Sequence, residues 1–326
     1  MLKKYVYDVD KNELYEDEDN SITPSDYVEP TFYDQFEFHE YHQRFVDEVF
    51  LLCIKSRDKI IGYCYLGSRG NILKAPYSSP FALIHLKENF KISDACLFVE
   101  GIKKFANKKD FSNVYFTLPP EIYNAELVST LSASLFSEGF KVKSIEINNY
   151  FDLTKYSDLE THLKQSPNKV RNSLKRALKN ELKFEEIEIE DFELAYDVIK
   201  VNREQMGYPL KISIQQMQDL INMDSLTVRS FLVRQKEKPI AAAIIFDVTE
   251  ETSQIVYWGD ILEYRNERAM GLLTLEIFNT YKKLGKKYLD IGPSSEDGVI
   301  NVGLADYKKS IGCNTNIKVV FEYEVN

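Results

Sequence analysis

The sequence predicts an α/β protein with mixed sheets, made of two similar halves that meet near residue 150. Three observations predict it. Strand-like runs come in antiparallel pairs: 48–55 with 59–66 around Ser56-Arg57-Asp58, and 228–235 with 240–248 around the turn at 236–239. Helical periodicity follows each set of strands, at 93–107 and at 267–284. The order helix, paired strands, helix, strand, helix, strand then occurs twice without a close sequence repeat.

In order along the chain, residues 8–19 are acid-rich and 30–42 mix acids with aromatics. This reads as an irregular acidic lead-in with a short helix near 38–45. A weaker third strand is expected near 71–75. A strand at 113–118 is stopped by Pro119-Pro120, and a helix at 125–138 is stopped by Gly139. Two strands are expected at 141–147 and 150–153. The second half continues with a strand at 182–187, a helix at 192–206 ended by Gly207 and Pro209, and a helix at 213–223 capped by Ser213. After the paired strands come a strand at 252–259 and the 267–284 helix. A short strand at 288–291, a loop at 292–298, a helix at 302–311 and a strand at 315–323 close the chain.

At 326 residues the chain is long enough for two ordinary domains. Its net charge of -10 excludes general binding to duplex DNA, which needs a broad basic surface. No run approaches the length needed to span a bilayer. No apolar block follows the two lysines at the N-terminus, so no secretory signal is expected. The cysteines at 53, 64, 96 and 313 are scattered and read as reduced core residues of a cytoplasmic protein.

Within this acidic chain, 164–183 holds seven Lys or Arg and one acid, Glu181. Ser166 suits an N-cap and Pro167 the first helical position. Val170, Leu174, Ala177 and Leu178 form an apolar stripe; Lys169, Arg171, Lys175, Arg176 and Lys179 fall opposite it. Two readings fit. The cations are a solvated face paired with the acids that follow, from Glu185 to Glu193, or they hold phosphate groups.

Common catalytic signatures are missing: no GxSxG, Walker loop, HExxH, CxxC or dinucleotide glycine set occurs. His39 and His42 lie close together, but nothing completes a zinc site, so no metal is expected. Arg268-Ala-Met-Gly271 opens a helix directly after a strand, where free N–H groups attract phosphate. Glu276, the one charge in the apolar stretch 269–278, is expected at the surface. Further on, Ser294, Ser295, Glu296 and Asp297 follow a strand end, where ligands of α/β proteins gather. Tyr307 can donate a proton and Lys308 can stabilise an anion. As alternatives, Tyr307 is a core aromatic, Lys308 a surface charge and the Ser-Ser-Glu-Asp run a plain loop.

Four segments resemble the GNAT acyltransferase superfamily, specifically its tandem-domain Fem-like branch of aminoacyl transferases. They are LFSEGFKVKSIEINNYFDL, SPNKVRNSLKRALKN, GLLTLEIFNTYKKLGKKYLDIG and VGLADYKKSIG, the last being similar to a G-L-x-x-F-K-x-x-F-G signature. Together they span most of 135–312; the first ~130 residues match by element order only. The resemblance implies two GNAT-like domains, 1–150 and 151–326, each a mostly antiparallel sheet flanked by helices, with a cleft between them. It implies transfer of an acyl or aminoacyl group from a phosphate-bearing donor, acyl-CoA or aminoacyl-tRNA, to an amine, with a cell-envelope precursor as one acceptor. It places Tyr307 and Lys308 at the transfer centre, and Lys169, Arg171, Arg268 and Gly271 on phosphates. Ser294 and Ser295 remain candidate substrate contacts. No covalently bound cofactor is implied. The sequence departs from the pattern at three positions: Tyr307 replaces Phe, Ile311 replaces an aromatic, and Leu273 stands where the CoA loop has a small residue. A non-catalytic module that binds a phosphorylated ligand is the competing class.

Overall fold

The structure is a computed structural model and describes residues 2–18, 26–155, 161, 164, 168–208 and 210–325. In chain order the described elements begin with β1 (Leu2–Asp8), β2 (Glu13–Asp17), α1 (Phe36–His42), β3 (Glu48–Ser56), β4 (Lys59–Arg69), β5 (Ile72–Ala75) and β6 (His85–Leu86). Then come α2 (Ile92–Lys108), β7 (Asn113–Thr117), α3 (Ala125–Ser137), β8 (Lys141–Asp152), α4 (Asn168–Lys179), β9 (Leu182–Ile187), α5 (Phe192–Gln205) and α6 (Ile214–Ile221). The rest are β10 (Thr227–Gln235), β11 (Lys238–Asp247), β12 (Thr252–Asp260), α7 (Ala269–Lys283), β13 (Tyr288–Pro293), the short β14 (Ser295–Glu296) and β15 (Val299–Ile300), α8 (Val302–Ser310) and β16 (Asn314–Glu324).

The chain forms two compact units: Met1–Glu146 with Asp297–Val299 and Ile317–Asn326, and Ile147–Glu296 with Ile300–Asn316. A single cut at 150 therefore does not separate them. Ile317–Asn326, expected in the second half, belongs to the first unit, where β16 pairs antiparallel with β7.

In the first unit β3 is buried on both faces, which is why EVFLLCIK reads as an unbroken apolar run rather than an alternation. Phe50, Leu52 and Ile54 pack with α2 in one core, while Val49, Leu51 and Cys53 pack with Tyr27, Tyr63 and Tyr65 on the other side. The β3–β4 turn has positive φ at both Arg57 and Asp58, the geometry a tight hairpin demands. The irregular acidic lead-in is corrected: residues 2–8 are a strand that pairs in parallel with β3, Leu2 opposite Val49 through Asp8 opposite Lys55. Its acid-rich neighbour β2 is the outer strand, where charges discourage further pairing. Of the two lysines that masked the strand pattern, Lys4 meets Asp17 of that edge at 3.1 Å and Lys3 pairs with Glu48 of β3.

In the second unit the strand order is β8-β13-β12-β11-β10-β9. β11 is also covered on both sides. Ala241, Ala243 and Ile245 share a core with Leu272, Leu273 and Leu275 of α7. The alternate residues Ala242, Ile244 and Phe246 are equally buried and face the other side, where α5 packs. Ser213 caps α6 as expected, its hydroxyl accepting from the Gln216 N–H. Two corrections concern strands. The segments 141–147 and 150–153 are one strand, β8. The expected loop at 292–298 holds the end of β13 and the short β14. No helix among the described residues is long and apolar enough to cross a membrane.

Candidate functional site

The second unit places the predicted residues around one opening in its sheet. β12 and β13 are parallel but stay in register over only three residues, Thr252 opposite Tyr288 through Gln254 opposite Asp290. β12 then runs on to Asp260 without β13. Its ladder with β11 skips Val256: Tyr257 faces Ile244 and Ile255 faces Ile245. A bulge of this kind leaves one residue's main-chain groups outside the regular ladder. Val256 thus lies in the bulge and two residues beyond the last β13 pair.

β13 is irregular at the same level. Its register with β8 shifts between Asp290 and Pro293, and Gly292 has φ +74. Such a kink strips carbonyls of their ladder partners. Lys308 satisfies them: its Nζ donates to the carbonyls of Ile291, Gly292 and Pro293 at 2.9, 2.8 and 2.9 Å. The side chain is buried, and burial lowers its pKa to about 8. All three ammonium hydrogens are thus engaged. Lys308 is neither the surface charge nor the free anion stabiliser that the sequence alternatives offered. It is the clamp that holds the end of β13.

Tyr307 projects to the α7 side of the sheet, half-buried against the core that contains Trp258. Burial, reinforced by the nearby Asp260 carboxylate, raises its pKa to about 12, so the phenol keeps its proton at neutral pH. It lies beside the Thr274 hydroxyl, which itself donates to the Met270 carbonyl at 2.7 Å. Asp260 was not singled out from sequence. It ends β12, is buried, and its pKa is raised by burial against the opposing pull of Arg265, whose Nε lies 3.4 Å away. The only sequence signal was its place directly after Trp258-Gly259 at a strand end.

Ser294 and Ser295 are used by the fold. Ser294 is buried, its hydroxyl donates to the Asn149 side chain, and its N–H reaches the Ile147 carbonyl at 2.7 Å. The Ser295 hydroxyl accepts from the Ile147 N–H at 2.8 Å. Both stitch the segment after β13 to β8. Asp290 does similar work, accepting from Asn148, Gln254 and the Gly292 N–H.

The phosphate candidates divide. Arg268 adopts a left-handed conformation (φ 67) at the junction of a 3-10 turn, Leu262–Glu267, and α7; its side chain is exposed. Gly271 lies in the first turn of α7, its N–H bonded to the Arg268 carbonyl at 3.0 Å. Leu273 is fully buried in the α7-side core, so its bulk fills the interior and not the helix mouth. Glu276 is half-exposed, as a surface acid should be.

The basic helix α4 packs on α7 through Val170 and Ala177, with Leu174 alongside, but Leu178 is 58% exposed and does not continue the apolar stripe. The Ser166 and Pro167 cap expectations, His162, Pro209 and the Lys169 side chain lie outside the described residues. Arg171 donates to the Lys164 carbonyl and the Asn168 side chain, and so braces the start of its own helix. At the other end, Asn180 donates to Glu267 at 2.6 Å, which puts the C-terminal end of α4 beside the start of α7. At about 1.5 Å per residue, Arg176 lies roughly 6 Å along the axis from that contact and Arg171 roughly 13 Å. Of the α4 cations, Lys175, Arg176 and Lys179 therefore lie nearest the start of α7. Two of the acids expected to neutralise this face pair elsewhere: Glu185 with Arg234, and Glu186 with Arg229 at 2.7 Å.

An open cleft of about 540 Å³ in this unit is lined by Tyr150, Asp152, Lys155, Lys309, Cys313, Asn314 and Thr315. It includes none of the predicted site residues. The β12–β13 opening remains the candidate site, with Asp260 at the end of β12 close enough to Tyr307 to act on it electrostatically. Among the described residues no group of three His, Cys, Asp or Glu side chains gathers in a metal-holding arrangement. His39 instead stacks on Tyr65 and hydrogen-bonds the Tyr77 hydroxyl at 2.7 Å.

No family model and no curated protein matches the sequence. Solved structures do. FemX superposes with a TM-score of 0.66 at 14% identity, covering 90% of this chain and 92% of that one. A conserved protein of unknown function from Bacteroides thetaiotaomicron gives 0.59 at 13% identity, over 89% and 90%. L-PGS from Bacillus licheniformis gives 0.54 at 14% identity, over 81% of each chain. The expected architecture is thereby met along most of the chain: this protein has a Fem-like GNAT fold.

Proposed function

We propose that the protein transfers an acyl or aminoacyl group from a phosphate-bearing donor, acyl-CoA or aminoacyl-tRNA, to an amine. The observation that carries this reading is the divergence of β12 from β13 at the Val256 bulge, with a buried carboxylate, Asp260, at the end of the same strand and a half-buried phenol, Tyr307, near that carboxylate. The amine nitrogen attacks the donor carbonyl, whose oxygen is polarised by β12 main-chain N–H groups. Asp260 takes the amine proton; a carboxylate with a raised pKa is a better base. The C–N bond forms, the C–S or C–O bond breaks, and Tyr307 gives its proton to the leaving sulfur or oxygen. Lys308 positions β13 without touching the reacting atoms. The start of α7, Arg268 and the α4 cations face the donor's phosphates. A Fem-like neighbour makes an aminoacyl donor one natural form of this reaction, and a cell-envelope amine one natural acceptor.

The test incubates the full chain with acetyl-CoA and a panel of amines, reading free thiol, and in parallel with aminoacyl-tRNA, reading loss of the labelled amino acid. Asp260→Asn should lower kcat by about a hundredfold or more, the usual worth of a general base. Donor binding with no turnover for either donor would favour the non-catalytic module, in which the same phosphate contacts hold a ligand without transfer.

A further inference from the structure

Arg203 lies in the last turn of α5, on the face of the sheet opposite α7. Its neighbour Asn202 donates to the Asp260 carbonyl at 2.7 Å and occupies the space above Gly259. Gly259 and Tyr257 stand opposite Ala242 and Ile244 in the ladder, so both point to the α5 side, whereas Trp258 points to α7. The Arg203 guanidinium lies 5.8 Å from the centre of the Tyr257 ring and close enough to Lys308 to act on it electrostatically.

Beyond the Tyr257 ring, Arg203 has no hydrogen-bond partner for its Nε. That Nε is shielded from solvent, and among the described residues the side chain forms no ion pair. A shielded, unmet Nε–H is costly, and together with a terminal N–H it forms a fork that matches a planar oxyanion. This fork sits at the end of β12, on the sheet face away from the cations of α4 and the start of α7. Donor phosphates and Arg203 thus address the opening from opposite sides.

We infer that Arg203 anchors a negatively charged oxygen group, carboxylate or phosphate, carried by the amine acceptor. The acceptor class is then an amine that bears an anionic group, and neutral amines are poor acceptors. This rests on the transfer reading for the word acceptor, but the anion site itself can be tested without turnover.

Binding of glycine, O-phosphoethanolamine and ethanolamine to the full chain is measured by calorimetry or by chemical-shift titration, for wild type, Arg203→Gln and Arg203→Lys. Wild type should bind at least one anionic amine about tenfold more tightly than ethanolamine, the scale of a charge-assisted hydrogen bond. The preferred anion separates carboxylate from phosphate. Arg203→Gln should abolish the preference and Arg203→Lys restore part of it, with melting temperatures confirming that both variants fold. Equal binding of the three amines by wild type, or a preference that survives in Arg203→Gln, overturns the inference. An Arg203-dependent preference in a protein that transfers no acyl group would keep the anion site and remove the transfer reading.

Discussion

Replacing Lys308 by Met keeps the length of the side chain and removes the ammonium that gathers three carbonyls. The bond to the Ile291 carbonyl is fully buried, while those to Gly292 and Pro293 are only partly so. The last two carbonyls can turn to water; the first is stranded, at a cost of about 1–3 kcal/mol. For a unit of this size that is a fall in Tm of roughly 2–12 °C, at about 2–4 °C per kcal/mol. A second signature is specific to the amine. Burial lowers its pKa from 10.5 to about 8. Between those values the unfolded chain holds a proton that the folded chain has lost, so wild-type stability rises with pH from 8 toward 10.5. At about 1.4 kcal/mol per pH unit, moving from pH 8 to pH 9.5 contributes about 2 kcal/mol. Lys308→Met lacks this titration. The assay is thermal melting of both proteins at pH 7, 8 and 9.5, read on the second unit's only tryptophan, Trp258. Parallel curves for the two proteins, or an unchanged Tm at pH 7, would refute the clamp.

Three other outcomes follow from the geometry. Gly259→Ala drives a methyl group into the Asn202 side chain and should cost about 1–3 kcal/mol of stability, together with much of any transfer rate; a Tm scan and kcat check it. His39 is held neutral, its pKa lowered to about 3 by burial despite the nearby Asp34 carboxylate and with His42 and His85 adding to the shift. The unfolded imidazole binds its proton near pH 6.5, so acid removes stability below that value, about 2 kcal/mol by pH 5, and His39→Phe should flatten the decline in urea titrations. Removing Arg176 and Lys179 together should weaken CoA binding several-fold and more at low salt, whereas Arg171→Ala should chiefly loosen α4; calorimetry at two ionic strengths separates them.

The sequence shows its strands where burial is two-sided. VFLLCI in β3 and IAAAIIF in β11 are apolar throughout because both faces are covered, and the turn residues between paired strands marked the hairpins. It hid β1, because Lys3 and Lys4 interrupt a short run and its partner lies more than forty residues away. Tyr307 and Lys308 could be picked out as a pair, but adjacent residues on a helix point apart, and only the fold reveals that one reaches the α7-side core and the other the kink in β13. Ser294 and Ser295 looked like a ligand loop since their hydrogen-bond partners, Asn149 and Ile147, come from a strand about 150 positions earlier. Arg203 looked like any basic residue near a helix end. Its significance arises from an unmet Nε–H, which a sequence cannot display.

The short parallel pairing of β12 with β13 has one more consequence. A strand edge left open inside a sheet accepts whatever can lie extended along it. A thin, linear group with its own N–H and C=O can slip in and complete the ladder. Beyond Gln254, the β12 amides that do not bond β11 should therefore exchange with solvent quickly until such a group arrives and slowly once it has.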